Sequence, residues 1–209
     1  MIAVLDYGIG NLHSAEKALQ HVGADARLVA NPDLAKGAAG VVLPGVGAFG
    51  PCMEALRASG LDRVAKDAVD SATPFLGICI GMQMLYEGSD EDPGATGLGL
   101  LPGAVRRLPG DVRLPQMQWN RLDIRRPDSP LLAGLASRSG DAPWVYFVHS
   151  YAPEPGDGVI ATCDYGGPVV AAVERDRVWA TQFHPEKSGS VGLRILANFA
   201  RLCGGAAAA

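Results

Sequence analysis

The stretch Phe75-Leu76-Gly77-Ile78-Cys79-Ile80-Gly81-Met82-Gln83-Met84-Leu85 decides how the rest of the chain is read. Phe75–Ile78 spells a buried apolar strand, and the residues from Ile80 onward favour helix, so the chain passes from strand to helix at a single cysteine. Glycines stand two residues before and two residues after it. This is a G-x-nucleophile-x-G elbow, with Cys in the place where many hydrolases carry Ser. The nucleophile of such an elbow sits in a strained turn, and side chains at the two flanking positions would collide with neighbouring backbone. The start of the following helix puts positive potential near the sulfur and favours thiolate. The amide of Ile80 is the natural first donor to an oxyanion. The plain alternative, two packing glycines around a core cysteine, leaves the position of Cys79 between strand end and helix start unexplained.

Upstream of the elbow the pattern alternates. Ile2–Leu5 reads as a strand, and Leu12, Ala15, Leu19 and Val22 form a helical stripe that stops at Gly23. Ala26–Ala30 is a second strand, and Asn31 before Pro32 reads as the N-cap of a short helix. Gly40–Leu43 is a third strand. Helical patterns then run from about Pro51 to Ser71, broken near Ser59-Gly60, and Thr73-Pro74 closes them. The order β, α, β, α, β, α, β predicts parallel strands joined by right-handed crossovers. Sites in open sheets of this kind form at the carboxyl ends of strands, where Asp6, Pro44 and Cys79 fall.

Downstream the pattern changes. Gly88–Gly103 reads as a glycine-rich loop. Ala104–Leu108, Gln116–Ile124, Trp144–Val148, Val159–Cys163, Val169–Val173 and Val178–Phe183 read as strands, some separated by tight turns as in antiparallel meanders. A last helix over Val191–Cys203 stops at Gly204-Gly205. The expectation is an α/β fold of three layers, with a central, mostly parallel sheet and an antiparallel extension.

Composition narrows the function. A chain of 209 residues suits one α/β domain, read here as 1–205, with 206–209 as a disordered tail. Hydrophobic residues at 48% and charged residues at 19% exclude global disorder. Eighteen Lys and Arg against 22 Asp and Glu give −4, without the basic excess of a nucleic-acid binder. No apolar run reaches the roughly 18 residues of a membrane span, and Met1-Ile2-Ala3-Val4-Leu5-Asp6 reads as a strand rather than a signal peptide. The four cysteines, Cys52, Cys79, Cys163 and Cys203, are far apart, with no metal-ligand spacing and no disulfide framework. A reducing cytoplasm is the expectation, with no metal and no cofactor. Cys52, Cys163 and Cys203 read as small buried hydrophobes.

A cysteine nucleophile needs a base. His13 and His21, eight residues apart in the first helical region, read as ordinary helix residues. In Gln182-Phe183-His184-Pro185-Glu186, Pro185 restrains His184 to an extended conformation, so His184 and Glu186 lie on one side of the chain. The carboxylate then bonds one imidazole nitrogen and leaves the other for Cys79, which is the logic of a triad. A surface His beside a solvated Glu is the plainer reading of these residues alone.

Gly45-Val46-Gly47-Ala48-Phe49-Gly50 satisfies G-x-G-x-x-G after a strand, but a dinucleotide site would need an acidic residue at the end of the next strand, and that strand ends in Ile78-Cys79. The better use of this loop is the second oxyanion donor, from Val46 or Gly47.

With these residues in place the chain resembles the class I (triad) glutamine amidotransferases. Asp6-Tyr7-Gly8-Ile9-Gly10-Asn11-Leu12, the Pro44–Gly50 loop, Gln118-Trp119-Asn120, Tyr146-Phe147-Val148-His149-Ser150-Tyr151 and Gln182–Gly189 extend the resemblance to one branch, the glutaminase subunits of imidazole glycerol phosphate synthases. Ile80 stands where Leu is more usual, and only its amide is needed. The resemblance implies a flavodoxin-like amidotransferase fold and hydrolysis of L-glutamine by Cys79, His184 and Glu186. It implies a glutamine pocket lined by Gly47, Gln83, His149, Ser150 and Tyr151; strand-end packing is the plain alternative for His149 and Tyr151. It also implies a partner, a (β/α)8-barrel cyclase that uses the ammonia to form imidazole glycerol phosphate and an aminoimidazole carboxamide ribotide in histidine biosynthesis. Asn11, Trp119 and Lys187 are the interface candidates, with core packing open for Trp119. Alternatives are the glutaminase subunit of another synthase, such as that of pyridoxal phosphate synthase, a Cys-dependent peptidase on a similar fold, and a non-catalytic binding module.

Overall fold

The structure, a computed structural model, describes residues 1–108, 110–135 and 142–204; the tail read at 206–209 lies outside them. The first half alternates as the sequence predicts: β1 (Ile2–Leu5), α1 (Leu12–His21), β2 (Ala26–Val29), a 3-10 turn at Pro32–Ala35, β3 (Gly40–Gly45), α2 (Phe49–Ala58), α3 (Leu61–Asp70), β4 (Phe75–Cys79) and α4 (Ile80–Gln83). Asn31 caps the 3-10 turn, its side chain accepting from the Leu34 amide at 3.3 Å. Gly60 separates α2 from α3 with φ of 73°, a conformation cheap only for glycine.

The second half contains β5 (Gly88–Ser89), β6 (Ala104–Arg107), β7 (Gln116–Arg121), β8 (Asp123–Ile124), β9 (Trp144–His149), β10 (Tyr151–Pro153), β11 (Val159–Asp164), β12 (Pro168–Arg175), β13 (Val178–Thr181) and α5 (Gly189–Leu202). An eight-stranded sheet has the order β2-β1-β3-β4-β13-β12-β11-β8. Its first five strands are parallel and the last three antiparallel. The parallel part follows the flavodoxin-like order 2-1-3-4-5. Right-handed crossovers leave β1 and β3 in opposite directions, which puts α1 on one face and α2 with α3 on the other. Helix α5 belongs with the α1 face, since those two helices pack together. The stripe of α1 buries Leu12, Ala15 and Leu19, and the strands β1, β3, β4 and β13 are buried along their whole length, as strands covered on both faces must be.

Several boundaries differ from the sequence reading. Gln116–Ile124 is two strands, not one: β7 pairs with β9 in a separate ribbon, Leu122 turns inward, and β8 joins the main sheet beside β11. The glycine-rich segment contains β5, which pairs with β6, and β6 pairs in turn with β10. Strand β13 ends at Thr181, two residues early, and the last helix begins two residues early at Gly189. The helix after the elbow is a single turn. Its end is taken over by a loop: the amides of Leu98, Gly99, Leu100 and Leu101 donate to the carbonyls of Met84, Tyr86, Leu85 and Leu85. The orphan carbonyls of the helix end are satisfied by this loop.

Candidate active site

The carboxyl ends of three adjacent parallel strands meet: β3 ends at Gly45, β4 at Cys79, β13 at Thr181. Cys79 has φ of 54° and ψ of −111°, a strained conformation for a residue with a side chain. Its two glycines explain how it is held. A Cβ on Gly77 would stand 2.9 Å from the Gly81 carbonyl oxygen and 3.0 Å from the Met82 backbone, and one on Gly81 would overlap the Leu43 carbonyl. The elbow is therefore packed backbone to backbone, with the one-turn helix tight against β3. That turn is short, so its dipole acts on the sulfur more weakly than a long helix would.

His184 follows β13, and its ring is almost completely buried. Nδ1 lies 2.7 Å from Oε1 of Glu186, whose side chain is also buried. A carboxylate can only accept, so Nδ1 carries the proton and Nε2 is left without a hydrogen-bond partner. Burial alone would push the imidazole down, but the Cys79 sulfur and the Glu186 carboxylate outweigh it and raise the pKa to about 10. The backbone of His184 is fixed as well. Its amide donates to the Tyr146 carbonyl at 3.0 Å, and its carbonyl accepts from Ser188 Oγ at 2.6 Å. The same Ser188 oxygen accepts from the Tyr146 amide at 3.0 Å, so β9 and the His184 turn are tied together twice.

A cavity of 230 Å³ opens beside the sulfur, lined by Val46, Gly47, Ile80, Gln83, His149, Ser150, Tyr151 and His184. These include every residue read from the sequence as oxyanion donor or pocket residue. That volume is below the range of drug-sized ligands and suits a single amino acid. Glu186 stands behind His184, away from the lining. His149 donates from Nδ1 to the Tyr151 carbonyl at 2.8 Å. Burial is the main reason its pKa is lowered to about 4, with the charge of His184 adding to it. His149 is thus neutral at pH 7 and presents a lone pair at Nε2, which is buried and unpartnered. Gln83 is equally buried, with Nε2 donating to the Tyr151 carbonyl at 2.9 Å and Oε1 unpartnered.

Two polar residues at the site carried no signal in the sequence. Glu91 lines the cavity and accepts the Phe49 amide at 2.9 Å, at the first turn of α2. The helix start where a dinucleotide fold would receive a pyrophosphate is thereby filled by a carboxylate, which agrees with rejecting that reading of Gly45–Gly50. Gln182 is fully buried, and its Nε2 lies 3.7 Å from the Cys79 sulfur. Only the fold reveals either one, because β13 must pair with β4 before residue 182 meets residue 79.

The interface candidates fall elsewhere. Asn11, Trp119 and Lys187 are all exposed. Trp119 is 48% exposed and meets Tyr146 edge to face at 6.2 Å, so core packing does not explain it. Met117 and Trp144 on the same ribbon are exposed by more than half. A larger cleft of 640 Å³ opens at the other end of the sheet, where Arg175 pairs with Val178; its lining includes Arg126, Glu154 and Glu174 but no cysteine or histidine. Among the described residues no group of His, Cys, Asp and Glu could hold a metal ion, and no helix is long and apolar enough to cross a membrane.

Comparison with known proteins identifies the family. Residues 3–203 match the family Glutamine amidotransferase class-I. The imidazole glycerol phosphate synthase subunit HisH of Synechococcus sp. (strain JA-3-3Ab) is 50% identical over 204 residues, covering 95% of this chain and 92% of that protein. The subunit of the same name from Syntrophotalea carbinolica is 49% identical over 208 residues, covering 95% and 98%. A crystal structure of a glutamine amidotransferase superposes with a TM-score of 0.76 at 22% identity, covering 97% of this chain and 98% of the other, which supports the fold. The chain belongs to the class-I glutamine amidotransferase family, within the branch that these HisH subunits represent.

Proposed function

We propose that this chain hydrolyses the side-chain amide of L-glutamine to glutamate and ammonia, and that a separate cyclase subunit consumes the ammonia to make imidazole glycerol phosphate and an aminoimidazole carboxamide ribotide. One observation carries the reading: a nucleophile, a buried base and its orienting carboxylate converge on a cavity the size of an amino acid. The names of the HisH relatives supply the synthase.

In the first half-reaction the Cys79 thiolate attacks the amide carbon, and the C=O π electrons move onto oxygen. The Ile80 amide, with that of Val46 or Gly47, receives the oxyanion. Protonated His184 gives its proton to the departing nitrogen, the C–N bond breaks, and a thioester remains. Water then loses a proton to His184 and attacks the thioester, and the C–S bond breaks. Glutamate leaves, and the thiolate–imidazolium pair is restored. Glu186 holds the ring by Nδ1 throughout, so only Nε2 moves protons. The α-ammonium of glutamine needs acceptors, and the cavity supplies the Glu91 carboxylate, the unpartnered Gln83 Oε1 and the His149 lone pair.

Ammonia released into water at neutral pH becomes ammonium and loses its nucleophilicity, so the acceptor site must lie close by. The partner is a (β/α)8-barrel cyclase, and the exposed ribbon of Met117, Trp119 and Trp144, with Asn11 and Lys187, is the docking surface. Large aromatics left half in water are costly unless a partner covers them. The test is release of glutamate from glutamine with the cyclase subunit present. It is expected from the parent and absent in Cys79→Ala, and equal release from both would overturn the proposal.

A further inference from the structure

We infer that Gln182 is a further catalytic residue, whose side-chain amide donates a hydrogen bond to the sulfur of Cys79 and stabilises the thiolate that attacks. The inference rests on the reading of Cys79 as nucleophile and adds to it a donor outside the Cys79, His184 and Glu186 set.

The orientation of the Gln182 amide follows from a chain of hydrogen bonds that has one fixed end. The Tyr151 backbone carbonyl can only accept, so the atom of Gln83 that lies 2.9 Å from it must be the nitrogen. The same Gln83 Nε2 has a second proton and stands 3.1 Å from the Gln182 side chain, so the atom facing it must be the oxygen. With Oε1 turned to Gln83, Nε2 of Gln182 is turned to the sulfur at 3.7 Å, an ordinary N–H···S length. A flipped Gln182 would set two donors against each other on one side and an amide oxygen against a thiolate on the other. Both side chains are buried, so water cannot relieve such a mismatch. The backbone of Gln182 is fixed too, its amide donating to the Ala171 carbonyl at 2.8 Å.

Among the described residues the sulfur also lies 3.9 Å from the Val148 carbonyl, which can accept from the thiol and offers nothing to the thiolate. Gln182 has the opposite preference, since an N–H donor bonds the anion more strongly than the neutral thiol. His184 must surrender its proton to the leaving nitrogen during the reaction. Gln182 keeps its protons, so its bond to the sulfur is available again when the thioester breaks and thiolate departs. Among the described residues the other titratable groups around the sulfur are His184 beyond β13, His149 on β9, Tyr151 on β10, Tyr7 after β1, Cys52 on α2 and Glu91 at the cavity wall. Substituting Gln182 leaves all of them in place.

The experiment is the pH profile of Cys79 alkylation by iodoacetamide in the full chain, with the modified peptide identified by mass spectrometry. In Gln182→Met, which keeps the length and removes the donor, reaction on the acid limb is expected to be about tenfold slower at any given pH, with little change in the plateau rate, as loss of one charge-assisted hydrogen bond implies. An acid limb that does not move in a folded variant overturns the role of Gln182. A parent chain whose Cys79 reacts no faster than Cys203 overturns instead the reading of Cys79 as nucleophile. A second measurement needs no substitution at Gln182. In the parent its side-chain amide proton resonance should move downfield as thiolate forms, and it should stay still over the same pH range in Cys79→Ala. A resonance that behaves alike in both overturns the inference.

Discussion

The backbone of Leu43 fills the space that a side chain at Gly81 would need, so strand β3 and the first turn after Cys79 are in direct contact. This one approach holds Ile80 beside the Pro44–Gly47 loop, and therefore holds both candidate oxyanion donors near the nucleophile. Gly81→Ala should act through the fold before it acts on chemistry. Backbone on both sides leaves nothing flexible to give way, and a loss of about 3 kcal/mol or more is expected. Urea unfolding measures it, and a loss below about 1 kcal/mol would mean that the elbow is looser than described.

The bond between His184 and Glu186 predicts the activity of Glu186→Gln. The neutral amide keeps the size of the carboxylate but neither holds the ring as firmly nor compensates its charge. A fall of roughly 10²–10⁴-fold in kcat is expected, the range seen when an orienting carboxylate of a triad is neutralised. KM should change little, because Glu186 lies behind the base and outside the cavity lining. Steady-state glutaminase kinetics of the complex with the cyclase would separate the two effects.

The two buried histidines at the site make stability fall on both sides of neutrality. His184, with its pKa raised from 6.5 to about 10, retains a proton that the unfolded chain has lost. Its contribution is complete below about pH 6.5 and disappears as the pH rises towards 10. His149 is lowered from 6.5 to about 4, so the unfolded chain takes up a proton that the folded one refuses. That contribution is complete above about pH 6.5 and is lost as the pH falls towards 4. Tm should therefore peak near neutrality. Glu186→Gln should flatten the alkaline slope and His149→Gln the acid slope, each leaving the other in place; a melting series in buffers of matched ionic strength reads both.

Trp119 should matter for association rather than folding. Half-exposed and resting on Tyr146, it is expected to change folding stability by under about 1 kcal/mol when replaced by Ala. Its loss should weaken binding of the cyclase by about 30-fold or more, as for a central aromatic anchor. Calorimetric titration of the two subunits provides the number, and unchanged affinity would move the docking surface away from the β7–β9 ribbon.

The parts of this molecule that were legible in the sequence are those fixed by local rules. Gly77 and Gly81 announce the elbow because no other residue fits there, and Pro185 sets His184 and Glu186 on one side by restricting a single backbone angle. The alternation up to Cys79 follows from period and punctuation alone. The missed features depend on contacts between distant segments. Nothing near Leu122 marks the point where β7 leaves for the ribbon and β8 joins the main sheet, since the break comes from two different pairing partners. The helix at Ile80 stops after one turn, where amides 13 or more residues further on, from Leu98 to Leu101, take up the next carbonyls. Glu91 and Gln182 look like ordinary polar residues until the fold brings one to the start of α2 and the other to the sulfur.

The central claim is a division of labour: this chain makes ammonia at Cys79, and another chain uses it. The most direct measurement is imidazole glycerol phosphate synthesis by the two-subunit complex carrying Cys79→Ala, supplied in turn with glutamine and with ammonium at alkaline pH. Synthesis from glutamine should be lost and synthesis from ammonium should persist near the parent rate. Persistence of glutamine-dependent synthesis, or loss of both activities from an intact complex, would contradict it.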